Sequence, residues 1–474
     1  MLFNSLEFYI FFPVVTLIYF LLPHKFRWLH LLIASCIFYC AFIPIYILVL
    51  FFTIVIDYFA GILLENNTGR KRRWYLIASL VSNIGVLAFF KYYNFFIENI
   101  NSFFHFSHLS DRSFPILAII LPIGLSFHTF QAMSYTIEVY RGNQRAERHF
   151  GYYALYVMFY PQLVAGPIER PQHILPQLHT IHNPDPSLIG SGLRLMAWGY
   201  FKKMVVADHL ALYVDKVFDS PGSYSGFPSA TAVLFFSFQI YCDFSGYTDI
   251  ARGAARVMGI SLMRNFNFPY FSSSIREFWT RWHISLSTWF RDYLYFPLGG
   301  NRTSLSRWCF NIMVVFLLSG LWHGANWTFI AWGALHGFYL IAGNFANRWV
   351  SKPKIPYSRF IKLSGVFLLV SLGWIFFRAK NLTLALDMIR SCFKGYHLFH
   401  PGLTSGIINS MNFYICVLGV LALVSIEATA FRKNFYQIFQ SWDSRLRLAC
   451  YTILCLSIIC LGIFNNTRFI YFQF

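Results

Sequence analysis

Apolar runs close to membrane-spanning length recur from one end of the chain to the other, and they leave it few ways to fold. A helical crossing needs about 20 mostly apolar residues. Such runs lie near residues 5–22, 28–43, 45–63, 74–91, 114–137, 193–214, 229–250, 308–322, 325–346, 361–378, 409–429 and 447–465. In hydrocarbon the backbone must satisfy its own N–H and C=O groups, which selects helices. A larger soluble core does not explain the pattern, because only 12% of the 474 residues are charged while 57% are hydrophobic. Soluble domains carry about a quarter charged residues to hydrate their surface. The predicted fold is all-α and polytopic, a single membrane domain over residues 1–474. It has about 11–12 crossings, since the shorter runs also suit re-entrant or amphipathic helices.

Charge gives the orientation. The formal net charge is +19, from 38 Lys+Arg against 19 Asp+Glu. Lys25 and Arg27 follow the first run, Arg70, Lys71, Arg72 and Arg73 precede the fourth, and Arg141, Arg145 and Arg148 follow the fifth. Basic loops stay on the cytoplasmic side and face anionic lipid, so these three are expected inside and the N-terminus outside. Met1 to Leu22 lacks a basic start and a small-residue cleavage site, and reads as a retained first span. No nucleic-acid-binding motif accompanies the charge. The nine cysteines are scattered, without zinc-type spacing, and read as small buried hydrophobes.

Three stretches interrupt the apolar pattern. Tyr160–Pro167 breaks a run with two prolines and a glycine, residues 262–303 are rich in Arg, Trp and Phe, and residues 379–408 are polar, with Lys380, Lys394, His397 and His400. Irregular backbone at membrane depth exists only where it is buried in protein or lines a cavity. The first two interruptions therefore point to a hollow rather than a plain bundle.

An ionisable side chain within a span is costly and is a functional candidate by default. His323 stands in Ser319–Trp327 (SGLWHGANW) between two apolar runs. Gly324 permits close approach of a backbone or substrate, and Trp322 and Trp327 offer pocket walls. A core histidine bonded to a neighbouring helix is the plainer alternative. In Phe278–Tyr293, read as one helix, Trp282, Ser285 and Trp289 share a face, His283 falls beside Ser287 and Trp279, and Arg276, Arg281 and Arg291 lie opposite. An interfacial helix with basic anchors is the plainer reading here. Asp243 and Asp249, six apart, are expected to pair with Arg at a helix end rather than to act as an acid–base couple. His128 and His336 read as packed polar contacts. There is no P-loop, paired zinc motif, nucleophile elbow or dinucleotide fingerprint.

Together, Met1–Phe12, Leu121–Gly142, Leu163–Arg170, Tyr241–Gly253, Asn265–Arg302, Ser319–Gly337 and Phe469–Phe474 resemble the MBOAT (membrane-bound O-acyltransferase) superfamily, and within it the bacterial AlgI-like branch of alginate/polysaccharide O-acetyltransferases. RWHISLSTWFRDYLY and SGLWHGANW are its most specific parts. The resemblance implies a ring of helices around a central tunnel reached from both sides. It implies that His323 matches the family's near-invariant histidine, and that His283 matches a second position that is Asn in many eukaryotic members. His128 departs from the Tyr expected in this branch.

The function implied is transfer of an acetyl or other small acyl group from cytoplasmic acetyl-CoA, a donor substrate rather than a bound cofactor. The expected acceptor is an exported cell-surface polysaccharide such as alginate. A periplasmic acyltransferase of SGNH-hydrolase type is the implied partner and the bacterial inner membrane the implied location. Histidine titrates near neutrality and suits a general base. His323 is expected in that role, His283 as the group that orients or stabilises the reacting oxygen, and Asn326 as an orienter of His323. Trp322, Trp327 and Trp282 are the candidate walls. Arg276, Arg281 and Arg291 are candidate contacts for the donor's phosphates, although lipid headgroups explain them equally well. No metal site is expected. Alternatives within the chemistry are a DltB-like D-alanyl transferase fed by a carrier-protein thioester and peptidoglycan O-acetylation. A transporter or flippase with proton-relay histidines is the alternative of another class.

Overall fold

The computed structural model describes residues 1–107, 113–349, 358–394, 407–432, 435–464 and 469–470. All regular elements among these residues are helical. Among the described residues, seven helices are long and apolar enough to cross a membrane: Pro44–Asn66, Gly69–Phe106, Leu305–His323, Trp327–Ala346, Arg359–Arg378, Ser410–Arg432 and Ser444–Leu461. The chain is a multi-pass membrane protein. The other expected runs form shorter helices or helices with buried polar residues. All nine cysteines are free. His397 and His400 lie outside the described residues.

The described residues fall into two compact units. Unit 1 comprises Met1–Arg194 with Ala251–Met263, and unit 2 comprises Leu195–Ile250 with Arg264–Phe474. In chain order the helices are α1 (Leu6–Leu21), α2 (His24–Cys40), α3 (Ile47–Asn66), α4 (Gly69–Leu87), α5 (Tyr93–Phe106), α6 (Leu125–Arg141), α7 (Phe150–Met158), α8 (Tyr160–Leu163), α9 (Pro171–His179) and α10 (Pro186–Tyr200). They continue with α11 (Asp208–Asp219), α12 (Phe227–Val257), α13 (Ile275–Arg281), α14 (Ile284–Phe290), α15 (Leu305–His323), α16 (Trp327–Trp349), α17 (Ser358–Arg378), α18 (Leu382–Phe393), α19 (Ser410–Arg432), α20 (Phe435–Ser441) and α21 (Ser444–Leu461).

In unit 1 the run expected over 114–137 is not one helix. Pro115, Pro122 and Gly124 (φ 76°) keep residues 113–124 out of helix, and α6 begins at Leu125. Proline withholds an N–H and disfavours helical backbone at the residue before it. A Cβ at Gly124 would stand 2.5 Å from the Leu163 carbonyl oxygen, so only glycine allows this approach. α6 is buried almost throughout, with Ser126, His128, Thr129, Gln131, Ser134 and Thr136 inside. Each polar group there needs a partner. Asp57 of α3 accepts from Ser79 (2.6 Å) and Asn83 (2.8 Å), and His128 is held by Thr53 at 2.6 Å. The proline-broken segment 160–167 is buried in protein, one of the circumstances that tolerate irregular backbone at this depth. Arg72, in the first turn of α4, donates to the carbonyls of Val139 (3.1 Å) and Tyr140 (2.8 Å) at the end of α6.

In unit 2, α15 and α16 form a close hairpin. A Cβ at Gly320 would lie 2.2 Å from the Phe329 carbonyl oxygen, and one at Gly333 would lie 2.2 Å from that of Phe316. Without a hydrophobic drive between helices in lipid, small residues that let backbones touch supply the association. Asp243 and Asp249 both bind lysines. Lys203 bridges Asp243 (2.7 Å) and Asp208 (2.8 Å), and Lys202 binds Asp249 (2.6 Å) and Ser245 (2.9 Å). The second carboxylate oxygen of Asp243 accepts the backbone N–H of Ile470 at 2.7 Å.

Candidate active site

The segment carrying His283 is a broken helix, not the continuous one expected over 278–293. α13 is capped by Ser274, whose hydroxyl accepts from the Glu277 N–H at 3.1 Å. It ends at Arg281, Trp282 is extended, and His283 takes the left-handed conformation (φ 44°, ψ 55°) before α14 starts at Ile284. Asn265 explains the break. Its carbonyl accepts the Ile284 N–H at 2.9 Å and its side-chain oxygen accepts the Ser285 N–H at 3.2 Å. One residue thus caps α14 from outside. A second tie runs from the Asn267 N–H to the Arg281 carbonyl at 2.9 Å. The turn sends the Trp282 indole inward, 1% exposed, stacked on Phe278 (5.5 Å) and packed on Trp374 (4.9 Å) and Phe266 (5.0 Å). A non-glycine residue held left-handed costs about 1–2 kcal/mol and concentrates at functional sites.

His323 arrives by regular means, as the last residue of α15, placed by the glycine hairpin. The two histidine rings lie 6.3 Å apart, centroid to centroid. At that separation their nitrogens are too distant to bond each other directly. His283 is fully buried and meets the edge of Phe244 at 4.7 Å, while Trp322 stands 6.0 Å from it. His323 is enclosed by Trp322 (4.9 Å), Trp332 (5.1 Å) and Phe377 (5.2 Å). Burial pushes the His283 imidazole down to about 3, so the ring is neutral near pH 7 and can both donate and accept.

The remaining sequence candidates are dispersed. Trp327 opens α16 and is 53% exposed, so it does not enclose the pair. Asn326 does not orient His323. Its amide N–H donates to the Lys380 carbonyl (2.9 Å) and its oxygen accepts the Thr328 N–H (3.0 Å), which makes it the cap of α16. Trp279 packs on His336 and Trp332 instead of beside His283. Arg281 is engaged by Glu277 (2.9 Å) and the Asn267 carbonyl (3.1 Å) and covers Phe431. Arg291 pairs with Asp292 at 2.8 Å. Arg276 is exposed, with no hydrogen bond or ion pair among the described residues. No group of three metal-ligating side chains is present among them. The sequence reading missed Phe244, Trp332, Trp374 and Phe377. Trp332 was within reach, four residues before His336 on one face of α16. The aromatic residues of α17 became visible only once packed.

This arrangement brings two buried imidazoles together among aromatic rings, where electrostatic interactions are strong. The sequence profile of MBOAT, the membrane-bound O-acyltransferase family, matches residues 143–386, which include both histidines. The chain belongs to this family. It is an acyltransferase, which sets aside the transporter alternative. A protein named as a probable alginate O-acetylase, AlgI of Azotobacter vinelandii, is 41% identical over 400 residues, covering 83% of this chain and 78% of that one. The peptidoglycan O-acetyltransferase of Helicobacter pylori is 35% identical over 527 aligned positions, covering 100% and 98%. The teichoic acid D-alanyltransferase of Streptococcus thermophilus is 28% identical over 276 residues, covering 52% and 65%.

Proposed function

We propose that this acyltransferase takes an acetyl group from acetyl-CoA at the cytoplasmic face of a bacterial inner membrane and passes it outward for O-acetylation of an exported polysaccharide. A periplasmic SGNH-hydrolase-like transferase would complete delivery. The N-terminus would lie outside. The observation that carries the chemistry is the His283–His323 pair within one aromatic enclosure, in a family of O-acyltransferases.

His323 removes the proton of the acceptor hydroxyl as its oxygen attacks the thioester carbonyl. The carbon–oxygen bond forms, the carbon–sulfur bond breaks, and the imidazolium returns its proton to the leaving thiolate. The C-terminal end of α15 favours the positive charge His323 carries in between. His283, neutral, donates to the oxygen that gains charge. Arg276, exposed on α13, is the arginine of the three best placed to meet a donor phosphate; Arg281 and Arg291 already hold carboxylates.

Two acceptors remain in view. Alginate-type polymers follow from the high identity to AlgI proteins, whereas the end-to-end alignment with a peptidoglycan O-acetyltransferase favours a cell-wall glycan. Inverted membrane vesicles given acetyl-labelled CoA should release free CoA and retain label on glycan. Label entering only from a carrier-protein thioester, with no CoA released, would overturn the donor and favour the D-alanyl type of reaction.

A further inference from the structure

Behind the His323 wall lies a second polar cluster that the proposed reaction does not use. Both ring nitrogens of His336, the indole N–H groups of Trp279 and Trp332 and the hydroxyl of Tyr339 are buried atoms with no hydrogen-bond partner among the described residues. His336 and Trp332 are fully buried. The rings crowd together: His336 lies 5.0 Å from Trp332, 5.1 Å from Trp279 and 5.6 Å from Tyr339. Trp374 nearby is the contrast, because its indole N–H reaches the Tyr270 hydroxyl at 3.2 Å. A Cβ at Gly373 would stand 2.8 Å from Nε2 of His336 and 3.5 Å from Trp332, so glycine there leaves room beside these atoms.

Buried polar atoms left unbonded cost about 1–3 kcal/mol each. An indole N–H only donates, so the two tryptophans cannot satisfy each other and need an acceptor. No charged group belongs to the cluster, which argues against an ion. We infer that His336, Trp279, Trp332 and Tyr339 enclose a site for bound water, and that this hydrated site sets the angle of Trp332 and through it the orientation of His323. Buried water typically makes about three hydrogen bonds to such groups, and Trp332 touches both rings, His336 at 5.0 Å and His323 at 5.1 Å. His336 is then a positioning residue. That second step rests on the reading of His323 as the base; the water site does not.

Radiolytic hydroxyl labelling of the detergent-solubilised protein tests the site, because it marks side chains beside bound water. Trp332 is sealed from bulk solvent, yet it should label in the wild type and several-fold less in His336→Phe. Absence of label on Trp332 in the wild type overturns the water site. His336→Phe, which removes both orphan nitrogens, should fold, lower kcat about tenfold at unchanged KM and shift the pH profile, while His336→Gln recovers most of the rate. Wild-type kcat and pH profile in His336→Phe overturn the positioning role. If His323→Ala proves active, the base assignment falls and takes the positioning role with it, while the labelling still decides the water site.

Discussion

His283 and His323 reach one enclosure on opposite kinds of backbone. His323 closes a regular 19-residue helix whose position is set by close packing of α15 on α16. His283 sits left-handed in a break between two seven-residue helices, held by Asn265. The helix ends differ in sign as well. His323 stands at the C-terminus of α15 and His283 at the N-terminus of α14, and complete burial keeps the His283 imidazole neutral. In the proposed reaction the two similar side chains take different tasks, His323 taking up a proton and His283 holding an oxygen.

Disturbing the hairpin tests the first half of this contrast and should have the largest effect. Gly333→Leu drives a side chain into the Phe316 carbonyl, so a loss of about 3 kcal/mol is expected, seen as a lower Tm in detergent together with lost activity. Next comes the left-handed turn. His283→Ala should lower kcat about 100-fold, as loss of one oxyanion donor does. His283→Asn should lose only about tenfold, because Asn donates a hydrogen bond and tolerates the left-handed region. Equal rates in the two variants would remove the hydrogen bond from the mechanism. The acid limb of the pH–rate profile should stay in place in His283→Asn, since a group held near 3 does not titrate where the enzyme works. Asn326→Ala should cost about 1 kcal/mol of stability by loss of the α16 cap, with a nearly unchanged rate per folded molecule. Arg276→Ala, at an exposed position, should raise KM for the donor about threefold or less and leave kcat alone.

Hydropathy made the membrane class legible, and a polar residue out of place made His323 legible. The Gly-Trp-His run between two apolar segments needs no partner to be noticed. His283 was found by its neighbours, but its placement was not, because the helix break depends on Asn265 upstream. Periodicity alone reads Phe278–Tyr293 as one helix and places His283 beside Trp279, which the turn undoes. Residues 114–137 failed for a related reason: apolar content outweighed the two prolines and Gly124. Asp243 and Asp249 were read as structural, and their partners Lys202 and Lys203 sit in a segment that counts as apolar only on average. The walls Phe244 and Phe377 come from distant segments, and no local spacing announces them.

The most direct measurement is transfer of labelled acetyl by the purified wild type and by His323→Ala, with the proposed periplasmic transferase and glycan present and folding checked by Tm. A loss of about 1,000-fold or more in the variant at unchanged Tm is the expected result for removal of a general base. Transfer at the wild-type rate would contradict the assignment of His323 and the mechanism built on it.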